Sequence, residues 1–338
     1  MDQEFQTDVA IIGAGPAGLF AVFQCGMAGL KAHVIDSLDQ IGGQCTALYP
    51  EKPIYDIPAE PSILAGELIE QLEAQASPFG PVYHLGQQVV KINGQEGAFT
   101  LTTSKNTLIA AKAIIIAGGA GAFGPNRPPL ENIETYEGTS IFYAVRNRNG
   151  FSGKKIMIAG GGDSAVDWAI SLADIAQQIY VVHRRDKFRA SAASLEKLHE
   201  LAATGKVEII TPAQLEKLDG ENGILTSITI ADLDGNTQSR DVDILLPFFG
   251  LATELGPIAE WGLVLDHHQI KTDQGTAQTS VTGIYAVGDM AIYPHKLRLI
   301  LTGFAEAAQA AHHILTRRNP DKAQHFEYST TKGIPSNS

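Results

Sequence analysis

Two glycine-spaced turns, and the side chains placed after each, are the residues of this chain best suited to do chemistry. The first turn is Gly13-Ala-Gly15-Pro-Ala17-Gly18, which follows the apolar run Val9–Ile12 and opens a second apolar pattern with helical spacing. A G-x-G-x-x-G turn between strand and helix suits the pyrophosphate of a dinucleotide. Gly13 permits the tight turn, Gly15 lets the backbone approach a phosphate, and Gly18 lets helix and strand pack closely. The helix start then offers free N–H groups and a positive dipole end. Asp36 ends the next apolar run, Lys31–Ile35. A carboxylate there accepts the two hydroxyls of an adenosine ribose and repels a 2′-phosphate. This site therefore fits FAD or NAD(H), and fits NADP(H) poorly.

The second turn is Gly160-Gly-Gly162-Asp163-Ser164-Ala165, again after an apolar run, Lys155–Ala159. It has the form G-x-G-x-x-A, an accepted variant of the same fingerprint. His183 stands as far beyond Gly160 as Asp36 stands beyond Gly13, and it leads into Arg184-Arg185-Asp-Lys-Phe-Arg189. Guanidinium forks match phosphate oxygens in charge and geometry. This site reads as a 2′-phosphate clamp, hence NADP(H). Two sites of opposite ribose chemistry imply one cofactor that stays and one that exchanges, most economically bound FAD and visiting NADPH.

Other chemistries find little support. The ten histidines show no H-E-x-x-H spacing, and the pairs His267-His268 and His312-His313 cannot put both rings on one face. No metal site is expected. Cys25 and Cys45 form neither a C-x-x-C redox pair nor a zinc set. A net charge of −12 without a basic tract argues against nucleic acid as a partner. There is no apolar run long enough to span a membrane. The acidic start, Met1-Asp-Gln-Glu, lacks a signal-peptide pattern, so a soluble cytoplasmic protein is expected.

These residues need elements to hold them. At 338 residues, with 44% hydrophobic and 18% charged residues and 34 glycines, the chain suits two α/β domains. Spacing predicts a helix from Ser62 to about Ala76, then antiparallel strands in Val82–Ile92 and Phe99–Leu108 with turns at Asn93-Gly94 and Ser104–Asn106. Ala113–Ala117 reads as a buried strand ending in Gly118-Gly119-Ala120-Gly121, and Asp243–Gly250 as a similar strand further on. A helix is expected at 192–203 and another starting near Thr302, whose small residues and dipole end suit a developing negative charge. The Gly- and Pro-rich loop from Ile41 to Pro58 would bring Gly42, Gly43 and Tyr49 to a planar ligand.

With these motifs placed, essentially the whole chain resembles the thioredoxin-reductase-like group of ferredoxin (or flavodoxin)–NADP reductases, homodimeric flavoenzymes with two dinucleotide domains. The resemblance is carried by both fingerprints, Gly42-Gly-Gln44, Leu48-Tyr-Pro-Glu-Lys52, His183–Ala190, Gly283-Ile-Tyr-Ala-Val-Gly-Asp289, Lys296-Leu-Arg-Leu-Ile300 and the extended tail. It implies an α/β fold of two Rossmann-like three-layer domains, with the NADP(H) domain (119–249) inserted into a discontinuous FAD domain (1–118 and 250–338). For FAD it implies Gly13, Gly15, Ala17, Gly18, Asp36, Gln44, Tyr49, Val89, Phe123, Asp289 and Thr330. For NADP(H) it implies Gly160, Gly162, Asp163, Ser164, Ala165, Arg184, Arg185 and Arg189. Tyr49 and Tyr328 would stack on opposite faces of the flavin as the catalytic aromatics, Tyr328 from a tail crossing the dimer. Thioredoxin reductases carry a C-x-x-C pair before the second fingerprint, where this chain has Ala144 and Asn147. No dithiol relays electrons here.

The implied activity is hydride transfer from NADPH to FAD and one-electron delivery to ferredoxin or flavodoxin, with domain rotation at Gly118–Gly121 and near Gly250. A negative chain that meets an acidic carrier needs a local basic patch, for which Lys52, Lys296, Arg298 and Arg146 are candidates. Two other readings stay open: an NADPH-dependent reductase of quinones or other acceptors, and an NADPH-binding redox sensor without turnover.

Overall fold

A computed structural model describes residues 4–119, 121–318 and 329–333. They form two compact units, one built from the chain up to Phe123 and again from Thr253, the other from Gly124–Ala252. The divisions lie a few residues beyond the glycine breaks that mark them in the sequence.

In the first unit five strands run parallel, in the spatial order Val82–His84, Ala32–Ile35, Glu4–Ile12, Leu108–Ile116 and Ile284–Ala286. Glu4–Ile12 is paired on both edges, Val9 lying opposite both Ala32 and Ala113. Both its faces are buried. Val9 and Ile11 pack with Val22 and Cys25 of the helix Pro16–Met27 and with Ala307 and Ile314 of the helix Ile300–Arg318. Ala10 and Ile12 point the other way, onto Phe99, Leu101, Ile109 and Ile258. Burial on two faces is why Val9–Ile12 is apolar without alternation. Leu108–Ile116 divides its far edge: Leu108–Ala111 pair antiparallel with Phe99–Thr102, and Ile114–Ile116 pair parallel with Ile284–Ala286. Five parallel strands end along one side of the sheet, where such folds place their ligands.

Three expected elements change. The helix after Ser62 starts at Ala65, because Ile63–Leu64 pairs with Pro53–Ile54 and Glu67 reaches back to cap the Leu64 N–H. Val82–Ile92 is two strands broken at Gly86. Val82–His84 joins the parallel set, and only Val89–Gln95 pairs antiparallel, with Ala98–Thr103. That hairpin turns at Glu96-Gly97, while Asn93 and Gly94 stay in the ladder opposite Thr100 and Phe99. The register that buries Phe99 and Leu101 overrides the local Asn-Gly turn preference.

His33 and His84, on neighbouring parallel strands, are buried with Nδ1 and Nε2 3.0 Å apart, and Phe5 sits edge-on to both rings. Burial holds both imidazoles below the usual histidine range. The folded state thus favours the neutral pair. Its contribution to stability is complete above the ordinary histidine pKa of about 6.5 and is lost as pH falls through the lowered folded values. The melting temperature should therefore drop between pH 7 and pH 5, and His84→Gln should flatten part of that slope. Identical slopes for variant and wild type would exclude the pair as the cause.

The second unit holds a four-stranded parallel sheet in the order Val207–Ile210, Gln178–Val182, Lys155–Ala159 and Ile244–Pro247. The helices Asp163–Leu172 and Ala192–Ala203 belong to it, and Ala213–Glu221, Ile224–Asp232 and Thr237–Asp241 form an antiparallel meander. Among the described residues no helix is long and apolar enough to cross a membrane, and no group of three His, Cys, Asp or Glu could hold a metal ion.

Candidate dinucleotide-binding sites

In the first unit a cleft opens along the C-terminal ends of the parallel strands. It is lined by Ile12, Gly13 and Gly15–Ala17, by Asp36–Leu38, Gln87–Val89, Ala117–Gly119 and Gly288-Asp289. The fingerprint glycines take the roles their spacing assigns. Gly13 has φ +111°, donates its N–H to the Ile35 carbonyl at 2.8 Å, and has no room for a side chain, since a Cβ would lie 2.3 Å from the Ala117 oxygen. A Cβ on Gly18 would lie 2.0 Å from the Gly13 oxygen. Gly15 instead faces open space within the cleft lining. Backbone can approach a phosphate there, at the start of the helix Pro16–Met27.

Asp36 is fixed by two backbone amides, Ala14 N–H on Oδ2 at 2.6 Å and Leu38 N–H on Oδ1 at 2.8 Å. Burial pushes its carboxyl up and these amides pull it down, so burial dominates. Each oxygen keeps a lone pair for a hydroxyl donor, which fits a ribose diol. Gly42 donates to the Ala14 carbonyl at 2.8 Å, tying the Ile41–Pro58 loop to the fingerprint. A Cβ on Gly43 would come within 3.2 Å of Gly15 Cα. The loop thereby brings Gln44 and Tyr49 to the cleft wall. The Cys45 thiol, pushed up to about 11 by burial, donates to the Tyr49 hydroxyl at 3.9 Å, and burial raises the Tyr49 hydroxyl as well. Asp36, Asp289 and Arg298 are the charged residues of an otherwise mostly apolar lining. A long, partly apolar cleft with an open phosphate cradle and a ribose carboxylate fits FAD.

The second unit repeats the turn with different chemistry after it. Gly160, at φ +151°, would place a Cβ 2.5 Å from the Phe248 oxygen, whereas Gly162 faces open space. Ala165, in the third fingerprint place, is buried, and Asp163 and Ser164 stand exposed in the first turn of their helix. His183 packs its imidazole against Gly161 and the Phe188 ring, and burial, with Arg184, Arg185 and Arg189 nearby, keeps it low and neutral. The segment after it folds back over the turn: Arg189 N–H donates to the Gly161 carbonyl at 2.6 Å and Ser191 N–H to Asp163 Oδ1 at 3.2 Å. Arg184, Arg185 and Arg189 are exposed beside the fingerprint, and the ion-paired arginines among the described residues are others, Arg127, Arg148, Arg240, Arg317 and Arg318. Three unneutralised guanidiniums at this place fit a phosphomonoester on the ribose.

Residues 7–314 match the family described as pyridine nucleotide-disulphide oxidoreductase. The chain belongs to this family. It is 60% identical over 328 residues to the ferredoxin–NADP reductase of Rickettsia massiliae (strain Mtu5), covering 97% of this chain and 98% of the relative. It is 58% identical over 334 residues to the ferredoxin–NADP reductase of Rhodospirillum rubrum, covering 98% and 97%. Among solved structures it shares its fold with the thioredoxin reductases of Lactococcus lactis, at a TM-score of 0.77, 24% identity and 91% and 97% coverage, and of T. acidophilum, at 0.79, 23%, and 93% and 99%.

Of the two positions where thioredoxin reductases carry cysteines, Asn147 has a structural role here. Asn147 accepts from Asn149 N–H at 3.0 Å and caps the turn Arg148–Phe151, while both cysteines of the chain are free and buried in the first unit. Of the expected FAD residues, Gly13, Gly15, Ala17, Asp36, Gln44, Tyr49, Val89 and Asp289 line the cleft, and Gly18 packs beneath it. Thr330 lies exposed in the short helix Ser329–Lys332 and is not among the residues that line the cleft. Phe123 sits in the strand Ala122–Pro125, whose side chains, like all of Tyr328, lie outside the described residues.

Lys296 corrects the expected docking patch. Its side chain is fully buried in an ion pair with Glu306 at 2.6 Å, so it offers no charge to a partner. Arg298 is exposed, bonded to Gln269 at 2.6 Å, and borders the cleft. Leu255, Ile258 and Trp261 also line the cleft, supplied by chain that returns after the second unit. No motif marks them.

Proposed function

We propose that this protein is a ferredoxin–NADP(+) reductase in which the unit 1–123 with 253–338 holds FAD and the unit 124–252 binds NADPH. The observation that carries this reading is the pairing of a carboxylate-tipped fingerprint with an arginine-tipped one, in a chain 58–60% identical over nearly its full length to enzymes of that name. Bound FAD supplies the conversion of one two-electron transfer into single-electron transfers. Asp36 holds its adenosine ribose, the Gly13–Gly18 turn its pyrophosphate, and Gln44, Tyr49 and Asp289 line its redox end. Val89 borders the adenine. Arg184, Arg185 and Arg189 select NADPH by its 2′-phosphate, with Gly160, Gly162, Asp163, Ser164 and Ala165 forming the pyrophosphate turn. Tyr49 covers one face of the ring system and excludes water from it, and Tyr328, Phe123 and Thr330 belong to the same reading.

Electrons leave without a dithiol, because Ala144 and Asn147 provide none. Their acceptor is ferredoxin, with flavodoxin as the alternative carrier, and the working form is a homodimer. The test is NADPH oxidation coupled through purified ferredoxin to cytochrome c. Turnover that requires ferredoxin supports the proposal. Rapid bleaching of the bound flavin with no turnover on ferredoxin or flavodoxin would replace it by a sensor, and turnover on quinones alone by a quinone reductase.

A further inference from the structure

Beside the FAD cleft lies a buried charge pair that none of the fingerprints includes. Lys296 and Glu306 have side-chain exposures of 0% and 2%. Both grip the same peptide unit region. Glu306 Oε2 accepts from the Gly288 N–H at 2.7 Å, and Lys296 Nζ donates to the Gly288 carbonyl and to Glu306 Oε1, each at 2.6 Å. Tyr293 lies beside the pair, its ring centroid 5.2 Å from the ammonium.

Gly288 is where the last parallel strand has stopped making ladder bonds. Val287 still donates to the Ile116 carbonyl, and then the chain turns at Gly288 with φ +68°. The next residue, Asp289, borders the cleft, as do Gly288 itself and Gly303 on the helix that carries Glu306. Gly303 approaches so closely that its Cβ would lie 3.2 Å from Gly288 Cα. A buried ion pair is a poor way to gain stability, since apolar residues of the same volume do as well or better. Here both members satisfy backbone groups of one turn, and that turn forms the cleft wall.

Resting on the FAD reading above, we propose that Lys296 and Glu306 are positioning residues. They clamp the Gly288-Asp289 turn against the helix Ile300–Arg318 and so set the geometry in which FAD is held. The pair acts on the cofactor through Gly288 and touches neither the electron carrier nor NADPH.

The test compares the full-length holoenzymes of wild type, Lys296→Met, Glu306→Gln and the double variant Lys296→Met/Glu306→Gln. Three quantities are read: the FAD dissociation constant from recovery of flavin fluorescence on dilution, the melting temperature at saturating FAD, and 2′,5′-ADP binding to the second unit by calorimetry. Lys296→Met strands a buried carboxylate and should lower both stability and FAD affinity. The double variant removes the stranded charge while glutamine still accepts from Gly288 N–H, so its melting temperature should return towards wild type. Methionine cannot donate to the Gly288 carbonyl, so FAD should stay about tenfold weaker. Binding of 2′,5′-ADP should be unchanged throughout. FAD affinity within threefold of wild type in the double variant would overturn the proposal, as would loss of 2′,5′-ADP binding together with FAD, which marks a pair needed only for folding. A wild-type protein that binds no FAD would instead overturn the function on which it rests.

Discussion

Replacing Arg184 and Arg185 together by alanine is expected to weaken NADPH by about a hundredfold or more and NADH by no more than a few-fold. Each charge-assisted hydrogen bond to a phosphate is worth about 1.5–3 kcal/mol, and two lost together reach that factor at the low end of the range. Both side chains are exposed at the end of the strand Gln178–Val182, without a carboxylate partner among the described residues, so alanine strands no buried charge and leaves the fold intact. His183 sharpens the contrast with the first unit. Where Asp36 would repel a 2′-phosphate, His183 is held neutral and turned onto Gly161, leaving the guanidiniums as the local charge. Competition by 2′,5′-ADP against 5′-AMP, measured by calorimetry, gives the same comparison without turnover. A double variant that still prefers NADPH as strongly as wild type would place the phosphate elsewhere.

How much of this was legible in the sequence depends on whether the interaction was local. The two fingerprints, Asp36 and the arginine run are set by strand-turn-helix spacing, and the structure puts Asp36 on the Ala14 amide that follows the first glycine. Gly118 was marked by an apolar run ending in glycine and Gly288 by the Gly283–Asp289 motif, and both come to the cleft. The remaining cleft wall joins chain far apart in sequence. Leu255, Ile258 and Trp261 arrive after the inserted unit and carry no pattern distinct from core residues. Glu306 in a helix of small residues looks like an ordinary solvent-facing acid, and Lys296 like a surface cation. Only packing reveals that each is the other's partner. The Asn93-Gly94 turn failed for the opposite reason: a strong local signal lost to the register that buries Phe99 and Leu101.

The glycines of the first fingerprint separate folding from binding, and substituting them one at a time should show it. Gly18→Ala drives a methyl to 2.0 Å from the Gly13 carbonyl oxygen, a backbone atom that cannot turn away. Helix and strand must part, at a cost of about 3 kcal/mol or more, and the protein should melt early or fail to accumulate. Gly15→Ala meets nothing within 4 Å, and the Gly15 φ of −73° suits any residue. Its stability without FAD should stay within about 0.5 kcal/mol of wild type. Yet the methyl occupies the open cradle at the N-terminus of the helix Pro16–Met27, where backbone amides would otherwise reach the pyrophosphate. Loss of one or two such charge-assisted bonds should weaken FAD by at least about tenfold. The expected pair of results is therefore a destabilised Gly18→Ala protein and a stable Gly15→Ala protein that holds FAD at least about tenfold more weakly. A yellow Gly15→Ala variant with wild-type FAD affinity would mean that the phosphates do not lie on this turn, and with it the assignment of the first unit to FAD would fall.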